Sequence, residues 1–229
     1  MVCIQGLAEV EMASDQISLK LFLRVLGVIL LTELAAGWLI QGRRSHSLYL
    51  IGLLRIFQTG GILVLLVGSG EGLDAIGLRR GTLRHGFYRG ILWSMGVGVL
   101  TLLGFGILFI LGQNPLTFFH AGVAKDGATI AAYLAVGVVI GPVAEEILFR
   151  GIVYGFLRKW GVLFALYSST LLFASLHGLS SGIPLIQIVG GLLFALSYEK
   201  ERSLWPPIII HVMGNGAIFT LALINRIMV

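Results

Sequence analysis

Apolar stretches of about 20 residues, each long enough to cross a hydrocarbon core of about 30 Å as a helix, recur along nearly the whole chain. In lipid the backbone polar groups of such a stretch must be satisfied within it, so the pattern dictates helices. Composition agrees. Hydrophobic residues fill 57% of the 229 positions and charged residues 12%, against about 25% charged in a soluble domain. The expected fold is all-α, a polytopic membrane helix bundle of about seven transmembrane segments. Residues 1–17 read as an N-terminal tail and 18–229 as a single transmembrane domain.

The spans run from about Ser18 to Ile40, Ser47 to Gly68, Phe87 to Leu111, Thr129 to Leu157, Gly161 to Leu176, Ile183 to Tyr198 and Leu204 to Met228. The fourth is too long for one simple crossing. Gly141-Pro142 interrupts it, and a broken helix is expected there, because proline lacks the amide that a helix interior needs. Between the second and third spans, residues 69–86 are Gly-rich and basic and read as an interfacial loop or amphipathic piece. Lys/Arg bias assigns loops 69–86, 158–160 and 199–203 to the cytoplasm and loops 112–128 and 178–182 to the exterior, with Arg43 and Arg44 against the trend.

Other classes recede. The net charge of +5 sits in short clusters between apolar spans, as lipid headgroups require, and does not point to nucleic acid. Cys3 is the single cysteine, so neither an intramolecular disulfide nor a thiolate metal cluster is available. The first 16 residues carry Glu9, Glu11 and Asp15 and no Lys or Arg, the wrong charge for the start of a secretory signal. The first span is therefore expected to stay as an anchor.

Ionisable groups at membrane depth cost several kcal/mol and mark function or a paired structural charge. Of 11 acidic residues, only Glu33, Glu145 and Glu146 lie within apolar segments. Neighbours on a helix diverge by about 100°, whereas residues four apart share a face, so Glu146 faces Arg150 and Glu145 points elsewhere. A poorly solvated carboxylate without a local partner suits general-base work. The competing reading is one structural charge cluster that locks helices together. His177 follows Phe173 by four residues, and His211 precedes Asn215 by four on an otherwise apolar helix. The latter pair suits interhelical hydrogen bonding or an oxyanion site. Together these residues supply a base, an assisting imidazole and two donors for hydrolysing an amide with activated water. No Gly-x-Ser-x-Gly or His-Glu-x-x-His motif occurs.

Glu145-Glu146-x-x-x-Arg150, Phe173-x-x-x-His177 and His211-x-x-x-Asn215 stand in the order of the three signatures of the CPBP peptidases, the CAAX protease and bacteriocin-processing (Abi) family, which this sequence resembles over roughly 129–220. The resemblance implies a glutamate-dependent intramembrane endopeptidase acting on a membrane-associated protein or peptide, with a C-terminal processing or sorting signal as one substrate type. It further implies Glu145 and His177 activating water, His211 and Asn215 binding the oxyanion, Glu146, Arg150 and Phe173 in support, and no cofactor. Zinc held by Glu145, His177 and His211 is the mechanistic rival. A transporter should show paired helix breaks in matching halves, which are absent here. A scaffold or immunity protein of the same fold stays open. The expected location is the inner cell membrane.

One calculation runs against this site. With upright helices, His177 lies about 24 Å from the end of the bundle at which the His211 helix begins, while His211 lies close to that end. The two can meet only if helices tilt, break or re-enter.

Overall fold

The computed structural model describes residues 17–40, 47–79, 81–118, 127–177 and 184–228. Cys3, the Arg43-Arg44 pair, Lys125 and the 178–182 loop lie outside the described residues. Seven helices follow one another: α1 (Leu19–Ile40), α2 (Ser47–Ser69), α3 (Leu83–Ile110), α4 (Gly127–Trp160), α5 (Val162–Leu176), α6 (Leu185–Glu201) and α7 (Trp205–Met228). Among the described residues there is no strand. The expected polytopic bundle is the observed fold. Among the described residues four helices, α2, α3, α4 and α7, are long and apolar enough to cross a membrane. The outer surface is apolar as lipid contact requires: Leu31, Leu34, Leu100, Leu102 and Ile110 are all exposed.

Loops 69–86, 158–160 and 199–203 meet at one end of the bundle, as a shared side requires. Leu204 N–H donates to the Gly77 carbonyl at 3.3 Å, Arg158 pairs with Glu199 at 2.7 Å, and Arg89 pairs with Glu201 at 2.7 Å. Successive helices on either side of these loops thus run in opposite directions. The 69–86 segment is more than an interfacial loop: its turn at 73–76 buries Ala75 and Ile76, and Ile76 packs against Gly151 of α4. Adding a methyl group at Gly151 would bring it 3.1 Å from the Ile76 side chain.

Small residues set the closest helix contact. Gly86 and Gly90 of α3 face Trp205 and Ile209 of α7, four residues apart on both helices, so α3 and α7 run parallel. A Cβ at Gly86 would lie 2.7 Å from the Trp205 Cβ, and one at Gly90 would lie 2.6 Å from the Ile209 Cβ. This is the Gly-x-x-x-Gly geometry by which membrane helices approach where apolar burial gives no net drive. Away from the catalytic candidates, Glu33 of α1 accepts from Arg55 and Gln58 of α2, and Gln58 also donates to Thr32 at 2.9 Å.

The expected break at Gly141-Pro142 takes a different form. α4 does not stop and restart; it widens into π-helical turns at Leu134–Ile140 and again at Ile147–Tyr154, with Gly141 in right-handed helical geometry. The Gly141 N–H reaches back to the Val136 carbonyl, five residues earlier. A wider turn absorbs proline without ending the helix.

Two outcomes test this packing. Gly90→Val should destabilise the protein by about 1–3 kcal/mol through overpacking, read as a lower thermal midpoint in detergent, with Ile209→Ala restoring part of the loss. At the charged end, the hydrogen bond from Arg89 is the main reason the Glu201 carboxyl lies below the usual carboxylate range, while burial opposes it. A carboxyl with a depressed folded pKa stabilises above its unfolded value of about 4.3, and that contribution disappears as pH falls through the folded value. The midpoint difference between the native chain and Glu201→Gln should therefore be present at pH 7 and fade below about pH 4.

Candidate active site

The site forms where α4, α5, α6 and α7 converge. Glu146 and Arg150, one turn apart on α4, are fully buried and form an ion pair at 3.1 Å between Nε and Oε2. The N–H is not aligned for hydrogen bonding, and Arg150 Nη1 has no hydrogen-bond partner. The guanidinium is held otherwise: Nη2 donates to the Gly191 carbonyl of α6 at 3.1 Å, and the cation lies 4.8 Å from the Phe173 ring centre and 5.1 Å from that of Phe194. The carbonyl of Gly191 is reachable because α5 and α6 are close there, with Thr170 Cγ2 only 2.9 Å from where a Gly191 Cβ would stand.

His211 of α7 joins the same pair. Its Nδ1 lies 2.7 Å from Glu146 Oε1, and its ring stacks on Phe194 with centres 4.4 Å apart. His177, at the end of α5, places Nδ1 2.8 Å from the Phe173 carbonyl. A carbonyl only accepts, so His177 carries its proton on Nδ1 and turns a lone pair outward on Nε2. With Glu146 ionised beside Arg150, the same assignment holds for His211. Both Nε2 atoms stand 3.7 Å from Glu145 Oε2. Glu145 is partly exposed, at 24% of its side chain, while Glu146 is at 0%. The adjacent carboxylates therefore occupy different environments, as helical geometry required.

His177 and His211 do meet. The upright-helix calculation assumed that α7 begins at the rim of the bundle, but Leu204 is 0% exposed and Ser203 is 5% exposed. α7 starts inside, beneath the turn at 73–77, with Pro206 and Pro207 in its first turn, where missing amides do no harm.

Asn215 goes elsewhere. Its Nδ2 donates to the Gly137 carbonyl of α4 at 2.9 Å. Neither this contact nor the Glu146–His211 bond had a sequence signal, since 78 and 65 residues separate the partners. Phe194 and Gly191 were missed too; the small pair Gly190-Gly191 within α6 was the only hint of a close approach. Among the described residues, no group of three His, Cys, Asp or Glu side chains forms a metal-ligand cluster.

Residues 127–217 match the Rce1-like family, described as type II CAAX prenyl endopeptidase Rce1-like. The segment that builds this site is similar to Rce1-like endopeptidases. Two curated proteins share it in part. "Putative membrane peptidase YdiL" of Bacillus subtilis (strain 168) is 34% identical over 83 residues, 36% of this chain and 34% of that protein. "Membrane-embedded CAAX protease MroQ" of Staphylococcus aureus (strain USA300) is 34% identical over 94 residues, 38% of each chain. The chain thus spans little more than a third of the length of these relatives. No solved structure matches.

The Rce1-like segment predicts a divided outcome for the two glutamates. Glu146→Gln leaves Arg150 buried with its charge unpaired, which costs about 3–5 kcal/mol. The thermal midpoint in detergent should fall sharply, whereas Glu145→Gln, at the partly open position, should leave it nearly unchanged.

Proposed function

We propose that this protein is an intramembrane endopeptidase that hydrolyses a peptide bond of a membrane-associated protein or peptide with water activated by Glu145. The observation that carries the reading is the convergence of Glu145 Oε2 with the Nε2 atoms of His177 and His211, both at 3.7 Å. Three acceptors around one gap have no donor among themselves. A water molecule bridging them would donate to two of them and offer its remaining lone pair to a carbonyl carbon.

In the reaction, Glu145 takes the proton as the water oxygen attacks, the carbonyl π pair moves to its oxygen, and the proton passes to the leaving amine as the C–N bond breaks. His177 holds the water through Nε2 and is itself held by the Phe173 carbonyl. His211, held through Nδ1 by the Glu146 carboxylate at 2.7 Å, presents Nε2 to the gap. Arg150 in turn orients Glu146. Apolar walls exclude bulk water, so each of these interactions acts at low dielectric. The family description supports a peptide substrate and the name of MroQ supports a membrane-embedded one. The inner cell membrane is the proposed location. No metal is assigned a role.

The test compares membrane proteins by mass spectrometry in cells that express the native chain or Glu145→Gln. New C-termini or released peptides should appear with the native chain only, and the variant should lose at least about 10²-fold in turnover. Peptides unchanged between the two would instead support a scaffold of the same fold. Turnover should survive exhaustive chelation; loss on chelation with recovery on adding zinc would replace the metal-free mechanism while keeping the peptidase.

A further inference from the structure

Pro142 leaves one carbonyl of α4 without either of its helical partners. In an α-turn the Gly137 carbonyl would accept from the amide of residue 141, but that N–H is bound to the Val136 carbonyl. In a π-turn it would accept from residue 142, which is proline and has no N–H. A carbonyl without a helical partner in a helix long and apolar enough to cross a membrane is costly unless another group replaces the amide. The partner it has is a side chain from another helix, Nδ2 of Asn215 at 2.9 Å. The fit is close on both sides of the bulge. A Cβ at Gly141 would press on the Val136 carbonyl at 3.0 Å, and Gly216, next to Asn215, allows Val138 to approach to 3.5 Å of where its Cβ would be.

Resting on the peptidase reading of the site, we infer that Asn215 is a positioning residue: its side-chain amide replaces the amide that Pro142 lacks, pins the π-turn of α4 to α7, and thereby sets where Glu145 stands relative to the two imidazoles. The turn at 134–140 lies immediately before the six-residue stretch Gly141–Glu146 that carries Glu145, and a Cβ at Gly141 would lie 3.9 Å from Glu145 Oε1. Any relaxation of the turn therefore rotates Glu145. Asn215 and His211 sit one turn apart on α7, so one helix supplies both the imidazole near Glu145 and the clamp that positions Glu145. The bond to Gly137 uses one of the two N–H groups of the Asn215 amide and leaves the second for another acceptor.

The mechanism makes the Asn215 clamp dispensable for placing Glu145 when residue 142 has an amide. The experiment is a double-mutant cycle of the full chain in detergent micelles, comparing the native protein, Asn215→Ala, Pro142→Ala and the double variant. Three readouts are taken: the thermal midpoint, the imidazole ¹⁵N signals of His177 and His211 in histidine-labelled protein, and cleavage of an internally quenched prenylated peptide. Asn215→Ala should lower the midpoint, shift both imidazole signals as Glu145 moves away, and lower turnover at least about tenfold. Adding Pro142→Ala should restore the midpoint and both imidazole signals toward native values, since the new N–H can bond the Gly137 carbonyl. The first two readouts need no substrate, so they decide the inference even if the native chain leaves the peptide uncut, an outcome that would count against the peptidase reading alone. The inference is overturned if Asn215→Ala leaves midpoint and imidazole signals native, or if the double variant stays as impaired in both as Asn215→Ala. If Asn215→Ala is too unstable to purify, Asn215→Ser, with a shorter donor, takes its place in the same cycle and is judged by the same restoration.

Discussion

A positive charge with 0% of its side chain exposed organises this bundle. Arg150 has no route to solvent, so its surroundings must supply everything water would have given. They come from three directions: the Glu146 carboxylate from its own helix, the Gly191 carbonyl from α6, and the faces of Phe173 on α5 and Phe194 on α6. Glu146 in turn binds His211 on α7. One cation thus links four helices, two of which, α5 and α7, carry the imidazoles beside Glu145. A buried pair of this kind adds little net stability over an apolar substitute of equal volume, but it tolerates few alternative packings. Its contribution is to specify one arrangement among helices whose apolar faces would pack in many.

Lipid makes that specification necessary. Between membrane helices the hydrophobic effect has no preference for one face over another, since tails are as apolar as leucine. The chain answers with shape and polarity. Glycines at 86 and 90 admit Trp205 and Ile209, and glycines at 151 and 155 admit Ile76 and Ile17. Each contact holds an element that carries no candidate residue against one that does. The burial of Leu204 that brings His211 to the depth of Glu145 depends on the first of these, because α7 can start deep only where α3 has no side chains in the way.

Much of this was legible in the chain, for identifiable reasons. Span boundaries follow from hydropathy, since a helix must cover the bilayer thickness, and the divergence of Glu145 and Glu146 follows from 100° per residue. The nearness of Glu146 to Arg150 followed from a spacing of four. What escaped the sequence was tertiary: no local rule links Glu146 to His211, or Asn215 to a backbone carbonyl 78 residues away. The expected helix break was misjudged in form because Gly-Pro reports only that an amide is missing. Whether a helix ends or widens there depends on what neighbouring helices offer to the orphaned carbonyl, and that offer came from α7. The calculation that kept the two histidines apart failed for a similar reason: residue counts measure position along a helix, not the depth at which the helix begins.

The cluster of Glu33, Arg55, Gln58 and Thr32 bears on how the chain enters the bilayer. A lone carboxylate near the middle of a translocating helix raises the free energy of insertion by about 2.5–3.5 kcal/mol. Its partners here belong to α2, which leaves the ribosome later. Until they arrive, α1 also carries Lys20 and Arg24 without the help of a neighbouring span. The hairpin of α1 and α2, in which Glu33 and Arg55 already neutralise each other, therefore carries its buried carboxylate into lipid as an ion pair, and the order of synthesis favours integration of these two helices together.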